Sequence, residues 1–193
     1  MNKDAFWNLI DEVNTKVDRN DQEAVLLATK EKLMELPPSE IAQWDQIKET
    51  YRYLANRNHL WAACAATLSH SSTDGFIDFR YWLISQGKEI YLNAIHNPDS
   101  LANYDIPKGS ANFERYGWIA SEAYEAKTGR DLFREKKEYP LEEQVERSIR
   151  EELHLTPDIP SDWEYSQLPE IVPKLYRKYN SEELESSGME LQQ

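Results

Sequence analysis

A single cysteine, Cys64, excludes any intramolecular disulfide. It sits in the Ala-rich run LWAACAATL, where it reads as a small buried hydrophobe in a reducing compartment. Six glycines are too few for the frequent tight turns of an all-β sandwich. No stretch approaches the ~18 consecutive apolar residues of a membrane span. The opening MNKDAFWNLIDEV has no uninterrupted apolar core followed by a small-residue cleavage site. The expectation is a cytoplasmic protein, neither exported nor membrane-spanning. Positive charge is also short: 22 Lys and Arg against 35 Asp and Glu leave a net charge of −13. The basic cluster Arg134, Lys136 and Lys137 is interleaved with Glu135 and Glu138. Such a balance repels phosphate backbones and argues against a nucleic-acid partner. Plain solubility and steering toward a basic protein partner both stay open.

Reaction chemistry is missing as well. Glycine loops that cradle phosphate and dinucleotide fingerprints are absent. The four histidines, His59, His70, His96 and His154, have no metal-ligand spacing. His59 and His70 would lie about 16 Å apart along a helix, too far to share an ion. No metal and no cofactor are expected. Ser69, His70 and Asp74 have the residue types of a hydrolase triad, but no nucleophile elbow surrounds a serine. Polar residues between two helices ordinarily cap them, so no catalytic residue is assigned.

What the chain has is apolar periodicity. Hydrophobic residues make up 40% and aromatics 11%, enough to fold the bulk of the chain. Phe6, Leu9, Ile10, Val13 and Val17 recur at steps of three and four, a first amphipathic helix ending near Arg19 and Asn20. Residues 23–36 continue as a second. The break at Pro37 and Pro38 opens a third, striped by Ile41, Trp44, Ile47, Tyr51 and Leu54. A fourth, 59–69, carries small side chains that let a neighbour approach closely.

That neighbour is 73–86, TDGFIDFRYWLISQ, apolar on nearly every face and so suited to a central position. Ser71, Ser72, Thr73 and Asp74 offer caps for its start, and Gly87 suits a left-handed residue after its end. Further helices are predicted at 88–96 and 112–127. The latter faces Phe113, Tyr116, Ile119, Ala120, Ala123 and Tyr124 inward, with Gly117 marking close packing and Gly129 a stop. Residues 130–165 read as a charged, partly irregular connection containing a helix at 141–153. Prolines at 157, 160, 169 and 173 then punctuate a C-terminal wrap. The expectation is all-α: a single-domain irregular bundle of about six to eight helices over 1–180, with a disordered acidic tail at 181–193.

Charges on the central helix invite two readings. In the first, Asp74 and Asp78 serve its N-terminus while Arg80 meets a carboxylate such as Glu122 or Glu125. In the second, Asp74, Asp78, Arg80 and Gln86 line a polar pocket walled by Trp61 and Trp82. At helical spacing Trp44, Trp61 and Trp82 suit a core. Trp163, in the proline-rich stretch, either staples that segment down or forms an exposed anchor for a partner.

Several motifs together resemble a bacterial family of unknown function, DUF4240, related in part to proteins labelled as regulators of molybdate metabolism. They are Phe6-Trp7-x-Leu-Ile, Leu60-Trp61-x-Ala-Ala, the long Asp74-Gly75-Phe76-x-Asp78-Phe79-Arg80-x-Trp82-Leu83-Ile84-x-x-Gly87, Asn97-Pro98-Asp99-Ser100-Leu101 and Ala123-Tyr124-Glu125-x-Lys127-Thr128-Gly129. The resemblance extends to Trp163 and Pro173-Lys174-Leu175. It implies no activity, cofactor or catalytic residue. The function expected is a non-enzymatic protein-binding module with an acidic surface, regulatory or neutralising a basic toxin. The alternative is a small-molecule binder or enzyme built on Asp74, Asp78 and Arg80.

Overall fold

The first helix, α1 (Lys3–Lys16), is capped by the Asn2 side chain, which accepts from the Ala5 amide, and α2 (Gln22–Glu35) by Asp21 in the same way. Prolines pre-set the entry of α3 (Pro38–Leu54). Next come α4 (Asn58–Leu68), α5 (Thr73–Ser85), α6 (Lys88–His96) and, after a 3₁₀ turn at Pro98–Asn103, α7 (Glu114–Thr128). The C-terminal part holds α8 (Leu132–Glu135), α9 (Glu143–Leu153), α10 (Leu168–Ile171) and α11 (Pro173–Tyr179). This computed structural model describes residues 1–69 and 71–180. The expected tail at 181–193 and His70 lie outside the described residues. The fold is all-α, with no strand among the described residues, and none of their helices is long and apolar enough to cross a membrane. The eleven α-helices among the described residues exceed the six to eight expected because short ones, α8, α10 and α11, form in the C-terminal part.

After its first turn α5 is shielded along its length: Phe76, Phe79, Trp82, Leu83 and Ile84 are all buried. It packs against α3, α4, α6 and α7, and α7 shares the interior position by touching α2 and α3 as well. Two glycines permit this packing. At Gly117 an added Cβ would come within 2.7 Å of the Tyr81 ring, so only glycine lets α7 lie this close to α5. Gly87 joins α5 to α6 at φ +96°, where a side chain would also strike the Asp11 carboxylate at 2.5 Å.

The stretch expected to be a loose connection is fastened to the bundle by specific polar contacts. Glu152 of α9 accepts from Lys3 Nζ (2.7 Å), Lys88 Nζ (2.7 Å) and Tyr51 Oη (2.6 Å), joining α9 to α1, α6 and α3. Burial raises the Glu152 carboxyl, but these donors outweigh it and hold it below its ordinary value. Asp158 accepts from the Asn58 and His59 amides and so caps α4 from a distant part of the chain. Asp99, 8% exposed, does the same for α11 through Lys174 and Leu175.

Glu152→Gln is expected to cost about 1–2 kcal/mol at neutral pH, since Lys3 and Lys88 keep some contact with water. A carboxyl held low in the folded state stabilises above its ordinary value of 4.5 and loses that contribution as pH falls through the depressed value. Denaturant titrations of the two proteins should therefore differ at pH 7 and converge in acid; a constant gap would refute the role given to Glu152.

Candidate functional site

The six residues expected to form one cluster do not converge: Asp74, Asp78 and Trp61 lie toward the start of α5, Trp82 and Gln86 toward its end, and Arg80 turns to the end of α3. Asp74 is exposed in the first turn and Asp78 is half-buried. Burial, Glu114 and Asp74 raise the Asp78 carboxyl, and among the described residues no cation forms an ion pair with any of these three acids. Trp61 is half-buried and stacks on Phe76, with ring centroids 4.9 Å apart. Further along, roughly 6 and 12 Å past Asp78 at 1.5 Å per residue, Trp82 and Gln86 line a different cleft beside α1 and α6.

Arg80 belongs to neither end. Its expected carboxylate, Glu122 or Glu125, is replaced by backbone. The guanidinium donates from Nε to Phe76 O (3.1 Å) and from Nη1 to Arg52 O (3.0 Å), and lies 4.6 Å over the Phe76 ring. Arg52 is in the last turn of α3, a helix end with Leu54 and Ala55 buried and Tyr53 exposed, whose terminal carbonyls carry partial negative charge. Tyr91 Oη completes the arrangement by donating to Tyr51 O (2.7 Å). Burial, then the nearby Arg52, lower Arg80 to about 10, which leaves it charged at neutral pH. It is a structural cation at a helix terminus.

Chemistry elsewhere is equally quiet. Burial pushes the Cys64 thiol up to about 12, so little thiolate exists at neutral pH. Ser69 is exposed after α4, and the suggested His70 contact lies outside the described residues. Among the described residues no three His, Cys, Asp or Glu side chains form a metal site. Trp163 is half-buried and packs against the core.

A surface that sequence reasoning passed over lies between α3, α5, α7 and α8. A cleft of about 520 Å³ is lined there by Asp45, Glu49, Tyr81, Asp131, Trp118 and Phe133, among others. Beneath it Lys48 is fully buried, donating to Gly117 O and pairing with Asp45 (2.9 Å). Burial pulls Glu49 up, but Lys48 and Arg52 outweigh it and keep the carboxyl below its ordinary value. Tyr81 Oη donates to Glu49 Oε1 (2.9 Å), which fixes the carboxylate.

Trp118 and Phe133 stand at the rim with 62% and 73% of their surface exposed. The sequence held a signal for Trp118: it falls off the inward stripe of α7 that contains Tyr116, Ile119 and Ala120. A tryptophan on the polar face of an amphipathic helix is out of place in a purely structural reading. Phe133 carries no such signal, because its four-residue helix is too short to show periodicity.

A family model described as a protein of unknown function (DUF4240) matches residues 1–126, and the chain belongs to that family. The matched part contains Asp45, Glu49, Tyr81 and Trp118 but stops before Phe133. No curated protein and no solved structure matches the chain.

Arg80→Ala should destabilise the protein by about 2–4 kcal/mol, through a cavity on Phe76 and an unpartnered α3 terminus. Asp78→Asn should leave stability unchanged or raise it slightly at pH 7. A carboxyl raised in the folded state destabilises once ionised, so the small gain vanishes in acid, where both forms are neutral. Thermal melts of the two variants at pH 7 and in acid decide this; a loss from Asp78→Asn matching that of Arg80→Ala would reinstate a shared site.

Proposed function

We propose that this DUF4240 protein is a non-enzymatic binding module for a basic protein, docked on the aromatic-rimmed cleft between α3, α5, α7 and α8. The observation that supports this reading most is the pair Trp118 and Phe133, two large aromatics left mostly exposed at one rim. Exposed aromatics flanking a concave surface are the usual anchors of interfaces. Asp45, Glu49 and Asp131 add carboxylates to the same cleft. The chain's own Lys136 Nζ lies 4.9 Å over the Phe133 ring, a seat that a partner's Lys or Arg can take. The net charge of −13 favours encounter with a positively charged surface at low salt.

The buried Lys48 and Tyr81 hold the carboxylates in place, so the surface is preorganised without having to form on contact.

Quantitative affinity capture from the source cells, with wild type and the Trp118→Ala, Phe133→Ala double variant in parallel, tests the reading. A basic protein should be recovered at least about tenfold less by the variant, the range of a modest hot spot. Recovery should also fall as salt is raised from about 0.1 to 0.5 M. Equal recovery by both forms, or capture indifferent to salt, would reject this function.

A further inference from the structure

The second cleft, between α1, the end of α5, the start of α6 and the turn at 104–106, encloses about 600 Å³, within the range of small-ligand sites. It lies wholly inside the part of the chain that the family model matches. Two lining residues are otherwise closed off: Trp82 is 1% and Gln86 3% exposed.

The hydrogen bonds there leave acceptors without donors. Asn14 faces Ser85 O at 2.9 Å; a carbonyl can only accept, so Asn14 presents Nδ2 to it and turns Oδ1 away. That Oδ1 is buried with no partner. Gln86 faces Ser85 Oγ at 3.2 Å, and the hydroxyl has already given its proton to Trp82 O (2.7 Å). Ser85 Oγ must therefore accept, Gln86 presents Nε2, and no described residue donates to Gln86 Oε1. Two carboxamide oxygens thus lack a protein donor beside one cleft: Asn14 Oδ1 is closed off behind its wall, whereas Gln86 Oε1 is not shut in and is the one a ligand or water can reach.

Charge is unbalanced in the same place. Asp11, Asp18, Glu89 and Asp105 line the cleft against one cation, Arg19, which is four negative charges to one positive. Arg19 donates from Nη1 to Gln86 O (3.3 Å) and, among the described residues, pairs with none of the four carboxylates. These groups do not converge as a metal site. They are spread around apolar walls supplied by Trp82, Ile90 and Ile106.

The geometry points to a site for a primary alkylammonium ligand of the diamine class, whose N–H groups donate to Gln86 Oε1 while its charges face the carboxylates and its methylenes lie on the apolar walls. This site is separate from the aromatic-rimmed cleft and stands whether or not that surface binds a protein.

Calorimetric titration of the full chain with 1,6-diaminohexane and with hexamethonium tests it, because the two share chain length and charge while the quaternary compound has no N–H to donate. The diamine should bind at least about tenfold tighter. Gln86→Met should abolish the difference, and Glu89→Gln, at an exposed position, should weaken both several-fold with an unchanged melt. Nα-acetyl-lysine amide, with the same ammonium on a peptide, separates the sources: tighter binding than the diamine assigns the site to a lysine side chain, weaker binding to a free amine. Absence of saturable binding by wild type, or equal binding of diamine and hexamethonium, would overturn the proposal without recourse to any variant.

Discussion

The C-terminal end of α3, with Leu54 and Ala55 buried and Tyr53 exposed, constrains the rest of the molecule. A helix ends with carbonyls that lack a full set of intrahelical donors. Here the Arg52 carbonyl takes the Arg80 guanidinium of α5 as its donor, and the Tyr51 carbonyl, which also accepts from the Ala55 amide, takes the Tyr91 hydroxyl of α6. Their demands fix α5 against α3, and with it the stacked column of Trp61, Phe76 and Arg80. A cation in the interior thus needs no carboxylate, because the partial negative charge of a helix terminus and the face of an aromatic ring replace it.

Lys48 repeats the principle on the other side of α3. It too is buried and donates to a backbone carbonyl, that of Gly117, with Asp45 as counter-charge. The bond forms where α7 approaches α5 over a glycine. The same contact that closes the core therefore orients Asp45 and Glu49 toward the surface cleft. Core packing and the shape of the cleft are one arrangement there, since shifting α7 would move both Trp118 at the rim and the carbonyl that holds Lys48.

The C-terminal third works by capping rather than by burying a large apolar face. Asp158 finishes the start of α4, Asp99 receives the start of α11, and Glu152 gathers Lys3, Lys88 and Tyr51. Each contact joins residues from 64 (Lys88 to Glu152) to 149 (Lys3 to Glu152) positions apart in the chain. Charged side chains that look like solvated surface along the sequence act as helix ends and clamps once folded. This explains why 130–165 reads as an irregular connection and yet contains α9 with Ile149 and Leu153 fully buried.

Periodicity alone determined the helical class, the main boundaries through Thr128, the caps at Ser72 and Gly87, and the close approach at Gly117, because each depends on residues within a turn or two of one another. The inward position of Phe76, Phe79, Trp82 and Leu83 was legible for the same reason. Only the tertiary structure decided what Arg80 touches, that Trp82 and Gln86 line a cleft to which Asp74 and Asp78 do not contribute, and that Trp118 and Phe133 stand at one rim. Those outcomes rest on contacts between distant segments and on which polar groups lose their water, and a one-dimensional pattern of apolar spacing carries no record of either.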